Sequence, residues 1–461
     1  MKFVDRKNEL ETLNRLYNKN GSSMVIIYGR RRVGKTALIQ EFIQNKPNVY
    51  FLASQEKEDQ NQKEFQNLIA SFSQQSILNV AEGLRWDDLF RMLIETKTDG
   101  KKILVIDEFQ YLCQSNKAFP SIMQRIWDNI MEPDRNIMLM LCGSYIRMME
   151  SETLSYTSPL YGRRDAQIKL GPIPFLYYQD FMPEKNEAEL IEYYSITGGV
   201  PYYIKAFQGS DDIFSAIETN ILSQHSILFA EPYFLLQNEV REIGSFFSII
   251  KTIAAGERRV SGIASRSGVA QSSIQKYMET LIQLELVERR VPVTETNPEK
   301  SKKSLYYIKD HFLAFWFRYV FPSRASLERG KTGEAMQRIR QTFIENHVSF
   351  VYEDICTEKL WQLSEEGKLG FLLNRVGHWW NKHEEIDLVG LGEDNHSIIF
   401  GECKYTKRPI GPSVLRDLER KASLVPWNAK DRKESFVLFS PSGYTQSLKS
   451  IAQARDDVLL I

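Results

Sequence analysis

Eight residues, Gly29-Arg30-Arg31-Arg32-Val33-Gly34-Lys35-Thr36, satisfy the spacing G-x-x-x-x-G-K-[ST]. Each fixed position has a chemical reason. Gly29 and Gly34 let backbone N–H groups curl around a phosphate with no side chain in the way, Lys35 brings a cation to the β and γ oxygens, and the Thr36 hydroxyl is a ligand for Mg²⁺. Further on, the apolar run Ile103-Leu104-Val105-Ile106 ends in Asp107-Glu108. There Asp107 would serve Mg²⁺ through water, and Glu108 would polarise the water that attacks a γ-phosphate. A second set of charged residues lies near the C-terminus: Glu353, Asp387, Glu402 and Lys404. Glu402 and Lys404 are two apart in a strand-like run and so share a face. Two or three acids holding Mg²⁺, with a lysine to orient or deprotonate water, meet the needs of phosphodiester cleavage.

The elements that must carry these residues can be read from pattern. Val25 to Tyr28 is a short apolar run that predicts a buried strand, and Ala37-Leu38-Ile39-Gln40-Glu41-Phe42 opens a helix whose N-terminal dipole favours an anion. The expected nucleotide contacts are therefore the whole stretch from Gly29 through Arg30, Arg31, Arg32 and Val33 to Ala37. Further strands are expected at Asn48–Ala53, at Asn136–Cys142, which ends in Gly143-Ser144, and at Ala166–Leu170. Ser144 at a strand tip either hydrogen-bonds the γ-phosphate or the attacking water, or is a plain cap. Arg163 and Arg164 precede the last strand. Either could act as an arginine finger, from its own or a neighbouring subunit, which leaves a homo-oligomer open. The plainer alternative is a pair of surface arginines at a turn.

The whole chain sets bounds on its partners. In 461 residues Lys plus Arg and Asp plus Glu are both 59, so no global charge announces nucleic acid or membrane. Cys113, Cys142, Cys356 and Cys403 are scattered without C-x-x-C spacing, which suggests neither a disulfide framework nor a zinc site and fits a cytoplasmic location. No run approaches the ~18 apolar residues of a membrane span.

From Pro174 to about Tyr233 the pattern is helical and rich in Tyr and Phe, as for a packed lid. Then come three short helical patterns, around Ile243–Ile253, Ser261–Gly268 and Gln271–Ile282, and two strand-like runs, Leu286–Val291 and Leu305–Ile308. In a winged helix of this kind Gln271, Ser272, Ser273, Gln275 and Lys276 would face a DNA groove, and Lys300, Lys302 and Lys303 would reach phosphates. From Ala255 to Asp310 there are ten basic and seven acidic residues, a small excess for a DNA-binding module, so a domain-packing role is the competing reading. Ser323 to Gly333, polar with two glycines, is the expected last boundary.

Arg6 and Glu9, the arginine-rich loop, Asp107-Glu108, Cys142-Gly143-Ser144, Tyr161-Gly162-Arg163-Arg164 and Gly198-Gly199-Val200-Pro201 together resemble the archaeal-type ATPase family, which is similar to the STAND and AAA+ ATPases. The resemblance covers about residues 1 to 235. It implies a P-loop NTPase parallel sheet with the phosphate strand between the third and fourth strands, a helical lid, and Arg6 and Pro201 near the adenine. The C-terminal stretch, about residues 335 to 461, resembles the PD-(D/E)XK nuclease superfamily, with Ile386 where that family has proline.

The expected architecture is thus multidomain α/β: a P-loop ATPase core over 1–172, a helical lid over 173–235, a winged helix-turn-helix over 236–322 and a restriction-endonuclease-like domain over 335–461. The expected ligands are ATP or ADP and Mg²⁺, and the expected macromolecular partner is DNA, with no membrane. Catalytic roles fall to Lys35, Glu108, Arg163, Glu402 and Lys404, and metal ligation to Thr36, Asp107, Glu353, Asp387 and Glu402. The expected activity is an ATP-driven switch coupled to a DNA-acting, nuclease-like module. The alternative is a regulatory ATPase whose C-terminal half is a non-catalytic protein- or DNA-binding platform.

Overall fold

The computed structural model describes residues 2–134, 136–237, 239–240 and 242–461. The chain divides into two compact units. The first comprises Met1–Ile173, Val200–Tyr202 and Leu235–Arg241, the second Pro174–Gly199, Tyr203–Phe234 and Glu242–Ile461.

The first unit is built on a five-stranded parallel sheet: β1 (Ser23–Tyr28), β2 (Asn48–Leu52), β3 (Lys102–Asp107), β4 (Ile137–Gly143) and β5 (Ala166–Lys169). Strands β1, β3 and β4 are buried along their whole length, as their unbroken apolar runs require of a sheet covered on both faces. Alternate residues feed two cores. Met24, Ile26, Leu104, Ile106, Leu139 and Leu141 face one. Val25, Ile27, Ile103, Val105, Met138 and Met140 face the other, against Leu13 and Leu16 of α1 (Lys7–Asn18) and Leu38, Ile39 and Phe42 of α2 (Lys35–Ile43).

The strand order is β2-β3-β4-β1-β5. This corrects the expectation that the phosphate strand lies between the third and fourth strands. β3 and β4 pair directly, from Lys102↔Ile137 to Ile106↔Leu141, and β1 sits between β4 and β5. The acids at the tip of β3 are therefore one strand removed from the phosphate loop, and the tip of β4 stands between them.

In the second unit an aromatic helix, Glu187–Thr197, starts at a reciprocal cap in which Asn186 accepts from Glu189 N–H and the Glu189 carboxylate from Asn186 N–H. Three helices, α3 (Ile243–Ala254), α4 (Val260–Ser267) and α5 (Ile274–Gln283), precede an antiparallel ribbon of β6 (Val287–Arg290) and β7 (Leu305–Ile308). The dense aromatic stretch from His311 to Val320 is helical and buried, with Trp316 Nε1 donating to Phe229 O at 2.9 Å. The polar stretch Ser323–Gly333 does not end the unit, because it holds the short helix Arg324–Leu327 and leads straight into another starting at Gly333.

A second five-stranded sheet follows, ordered β12-β11-β10-β9-β8. Its strands are β8 (Leu373–Trp380), β9 (Glu385–Gly392), β10 (Ser397–Cys403), β11 (Lys433–Phe439) and β12 (Val458–Leu460). β8, β9 and β10 run antiparallel to one another, while β10, β11 and β12 are parallel. The helix α6 (Ser349–Glu365) packs against β8, β9 and β10, and α7 (Pro412–Ala422) against β9, β10 and β11.

Candidate functional site

The loop between β1 and α2 has the backbone that its glycines allow. Gly29 and Gly34 have φ of 152° and 97°, and a Cβ on Gly29 would collide with the carbonyl oxygen of Leu170 at the end of β5. Lys35 is buried and turns back into the loop, donating to Gly29 O (2.9 Å) and Arg30 O (2.8 Å). Burial pulls its pKa down, against the pull of Cys142, Glu108 and Asp107. Thr36 and Ala37 are exposed at the start of α2. The Thr36 hydroxyl donates to Asp107 Oδ2 at 3.3 Å.

Neutral donors hold the two acids. Tyr50 from β2 donates its hydroxyl to Asp107, whose other oxygen accepts from the Glu108 N–H at 2.9 Å. Glu108 adopts a left-handed backbone, φ 54°, which turns the chain sharply after β3. Its carboxylate accepts from Ser144 Oγ at 2.8 Å and from the Gln110 amide. Ser144 is thus bonded to the acid across the β4 tip, as the strand order allows.

The loop arginines are also anchored. Arg31 donates to the hydroxyls of Tyr111 and Tyr145, both at 3.0 Å, and lies over the Tyr145 ring. Arg32 lies 4.0 Å from the Tyr202 ring centroid. Arg6 is buried and donates to Val33 O (3.3 Å) and Gly171 O (2.5 Å), while Pro201 is the nearest side chain to a Cβ placed on Gly34. Arg163 forms a two-point pair with Asp128, both contacts at 2.7 Å, and also donates to Pro159 O. Arg164 donates to Gln167. A further, partly buried acid, Glu239, accepts from Ile146 N–H at 3.3 Å; desolvation raises its pKa to about 7, against that hydrogen bond and Arg147, Arg31 and Arg30.

The C-terminal residues also gather, in a different manner. Asp387 on β9 accepts from the Cys403 N–H of β10 at 2.9 Å. Lys404 lies 2.5 Å from Glu402 and 3.9 Å from Asp387, and Lys421 of α7 lies 3.6 Å from Glu402. Burial lowers the Lys404 pKa, but Asp387 and Glu402 outweigh it and leave the ammonium stabilised. Burial and then Glu402 lift Asp387 to about 6. Glu353 on α6, 3.8 Å from His378 Nδ1, is raised well above the carboxylate range by burial and by Asp387. Among the described residues, no three His, Cys, Asp or Glu side chains form a group able to hold a metal ion.

Sequence reasoning missed Tyr50, Gln110, Tyr111, Tyr145, Glu239, His378 and Lys421. Tyr50, Glu239, His378 and Lys421 reach their sites from elements distant in sequence, whereas Gln110, Tyr111 and Tyr145 lie within three residues of Glu108 or Ser144 but outside any motif. Only Tyr50 left a trace, as a polar-tipped residue inside a strand pattern next to the acid-bearing strand.

Comparison with known proteins bears on both halves. A family described as an ATPase domain predominantly from Archaea matches residues 3–207, and a family of archaeal and bacterial proteins of unknown function matches residues 316–421. An uncharacterised protein of Methanocaldococcus jannaschii is 35% identical over 425 residues, 92% of each chain. An uncharacterised ATP-binding protein of the same organism is 59% identical over 44 residues, 10% of this chain and 75% of its own. Among solved structures, a Walker-type ATPase of Pyrococcus abyssi matches with a TM-score of 0.51 at 19% identity, covering 68% of this chain and 96% of that one. That likeness is one of fold, a P-loop NTPase-type parallel sheet with helical elements.

Proposed function

Because this chain belongs to the archaeal-type ATPase family, we propose that it binds and hydrolyses ATP and uses the bound nucleotide to govern a C-terminal module that acts on DNA. The observation that carries the ATPase reading is the meeting of Thr36 with Asp107 and of Ser144 with Glu108, at the mouth of a glycine cradle lined by Lys35.

In this reading the loop N–H groups and Lys35 hold the β- and γ-phosphates, with Arg6 and Pro201 on the adenine side. The donor set fits Mg²⁺: a hydroxyl and a carboxylate 3.3 Å apart, both hard oxygen ligands. When bound, the ion neutralises charge between the β and γ oxygens. Glu108 orients the attacking water and accepts its proton, and Ser144 and Gln110 hold that carboxylate in place. Arg163 would have to leave Asp128 to act as a finger. The test is ATP turnover by the purified chain: Lys35→Ala abolishes it, and turnover at the normal rate in that variant removes the reading.

For the C-terminal half, α3 to β7 serve as a winged helix. The sheet β8 to β12 serves as a nuclease-like fold in which Asp387 and Glu402 would hold a divalent ion and Lys404 would assist water. Glu353, which faces His378 and joins them in no three-residue cluster among the described residues, is not assigned to the ion. One observation favours the second reading, a platform that holds DNA without cutting it: Lys404 and Lys421 already neutralise Glu402. Incubation with labelled DNA and Mn²⁺ decides between them. Cleavage lost in both Asp387→Ala and Lys404→Ala supports the cutting site; no cleavage by the wild type supports the platform.

A further inference from the structure

A cleft of about 1140 Å³ lies between the ribbon β6–β7 and the turn that joins β8 to β9. It exceeds the ~300–1,000 Å³ of a small-molecule pocket. Among the described residues, six basic and three acidic side chains line it, in a chain whose totals balance at 59 to 59. The positive charge comes from both walls: Arg259, Lys302 and Lys303 on one side, Lys382 and Lys421 on the other. Arg259, Lys302, Lys303 and Lys382 are exposed. Lys303 also pairs with Glu295 at 2.6 Å.

The two walls are parts of one body. Arg289 donates to the carbonyls of Pro298 (2.8 Å), Glu299 (3.3 Å) and Ser301 (3.2 Å), and so holds the lysine-bearing loop in shape. Val293, just after β6, donates its N–H to His378 O of β8 at 2.9 Å and packs its side chain into the core of the C-terminal sheet. Arg290 reaches Asp354 of α6 at 2.8 Å. A cleft fixed in this way is preorganised and loses little freedom when occupied.

The aromatic residues differ in the same telling way. Trp379 is buried in the C-terminal core, whereas its neighbour Trp380 is half-buried and lines the cleft. A groove that pairs backbone-tracking cations with an accessible ring suits a polynucleotide whose bases are unpaired, because a double helix keeps its base faces to itself. Lys421, which lines the cleft, stands 3.6 Å from Glu402 and so links the cleft to one of the C-terminal acids.

We propose that this cleft seats a single-stranded nucleic acid, with phosphates tracked by Arg259, Lys302, Lys303 and Lys382, a base stacked on Trp380, and the strand led past Lys421 towards Glu402. The proposal rests on the reading that the chain acts on nucleic acid, and it adds the strandedness of the substrate and its path.

Fluorescence anisotropy of the full-length chain in EDTA tests it, using a labelled deoxythymidine oligomer, the matching ribonucleotide oligomer and a DNA duplex of equal length. The wild type binds a single strand more tightly than the duplex, and the two single-stranded probes show which sugar is preferred. Replacing Lys302 and Lys382 together by Ala, both exposed and so tolerated by the fold, weakens binding about tenfold and flattens the slope of affinity against salt by roughly 0.7 for each phosphate no longer neutralised. Trp380→Leu weakens binding about tenfold by removing the stacking surface, with the salt dependence unchanged. Unaltered binding in all these variants overturns the cleft assignment while leaving the nucleic-acid reading intact. So does a larger loss in Lys276→Ala on α5, or a preference for duplex. A wild-type chain that binds none of the probes removes the nucleic-acid reading and the cleft with it.

Discussion

The two acid-bearing strand ends of this molecule solve one electrostatic problem in opposite ways. At the tip of β3, Asp107 and Glu108 take hydrogen bonds from uncharged donors, Thr36, Tyr50, Ser144 and Gln110, while the nearby Lys35 ammonium is spent on backbone carbonyls. At β9 and β10, Asp387 and Glu402 face Lys404, and Lys421 adds a second cation to Glu402. The first arrangement positions negative charge without cancelling it, which leaves it for an incoming cation. The second cancels it internally. A pair of carboxylates at a strand end is therefore not one kind of site, and the lysines around it decide which kind it is.

The contrast can be tested from its strongest consequence downwards. Lys35→Ala should abolish ATP turnover, and Glu108→Gln should lower it by about 10²–10⁴-fold while nucleotide binding is kept, since a general base is removed and the cradle is not. Steady-state hydrolysis beside equilibrium binding reads both. Next, Glu402→Gln should destabilise the second unit by about 3 kcal/mol, because the half-buried Lys404 and Lys421 lose the buried carboxylate they share. Asp107→Asn should cost the first unit less than about 1 kcal/mol, because only neutral hydrogen bonds change. Equal costs in chemical denaturation would break the comparison.

Saturating ATP with Mg²⁺ should raise the first unit's thermal transition by the equivalent of about 2.7 kcal/mol at a hundredfold excess over Kd. Mn²⁺ without nucleotide should leave the second unit's transition in place. A metal-only shift there would mean that the lysines yield, and would favour the cutting reading.

A separate, pH-dependent effect concerns Glu239. Its folded pKa, about 7, lies above that of an unfolded glutamate, so the stability tied to its protonation is full below about pH 4.5 and lost as pH rises through 7. Glu239→Gln keeps the acceptor for Ile146 N–H and should flatten that decline, by about 3 kcal/mol at pH 8. Melting curves from pH 5 to 8 measure it.

Much of the first unit was legible because its strands are unbroken apolar runs and its loop has fixed spacing. Ser144 and Glu108 could each be picked out, but not their bond, which depends on β4 lying between β3 and β1. The strand order was misread because nothing local in five buried parallel strands encodes which neighbours which. In the second unit β8 escaped notice. Leu373 to Trp380 has mixed exposure and register shifts between Leu373 and Arg375 and between Gly377 and Trp379, which blur the two-residue alternation. Lys421 was invisible as a partner of Glu402, because a lysine on an amphipathic helix usually faces water.

The close approach of Gly29 to Leu170, with Arg6 bound to Gly171, has a consequence for how the molecule is made. As the polypeptide leaves the ribosome, the segment with the glycine cradle emerges first, yet the backbone that braces it is synthesised some 140 residues later. A nascent chain released before β5 would carry a recognisable loop with nothing to lean on. Nucleotide capture thus becomes a late event in biogenesis, and a ribosome-stalled series of increasing length should acquire it abruptly once Gly171 is clear of the exit tunnel.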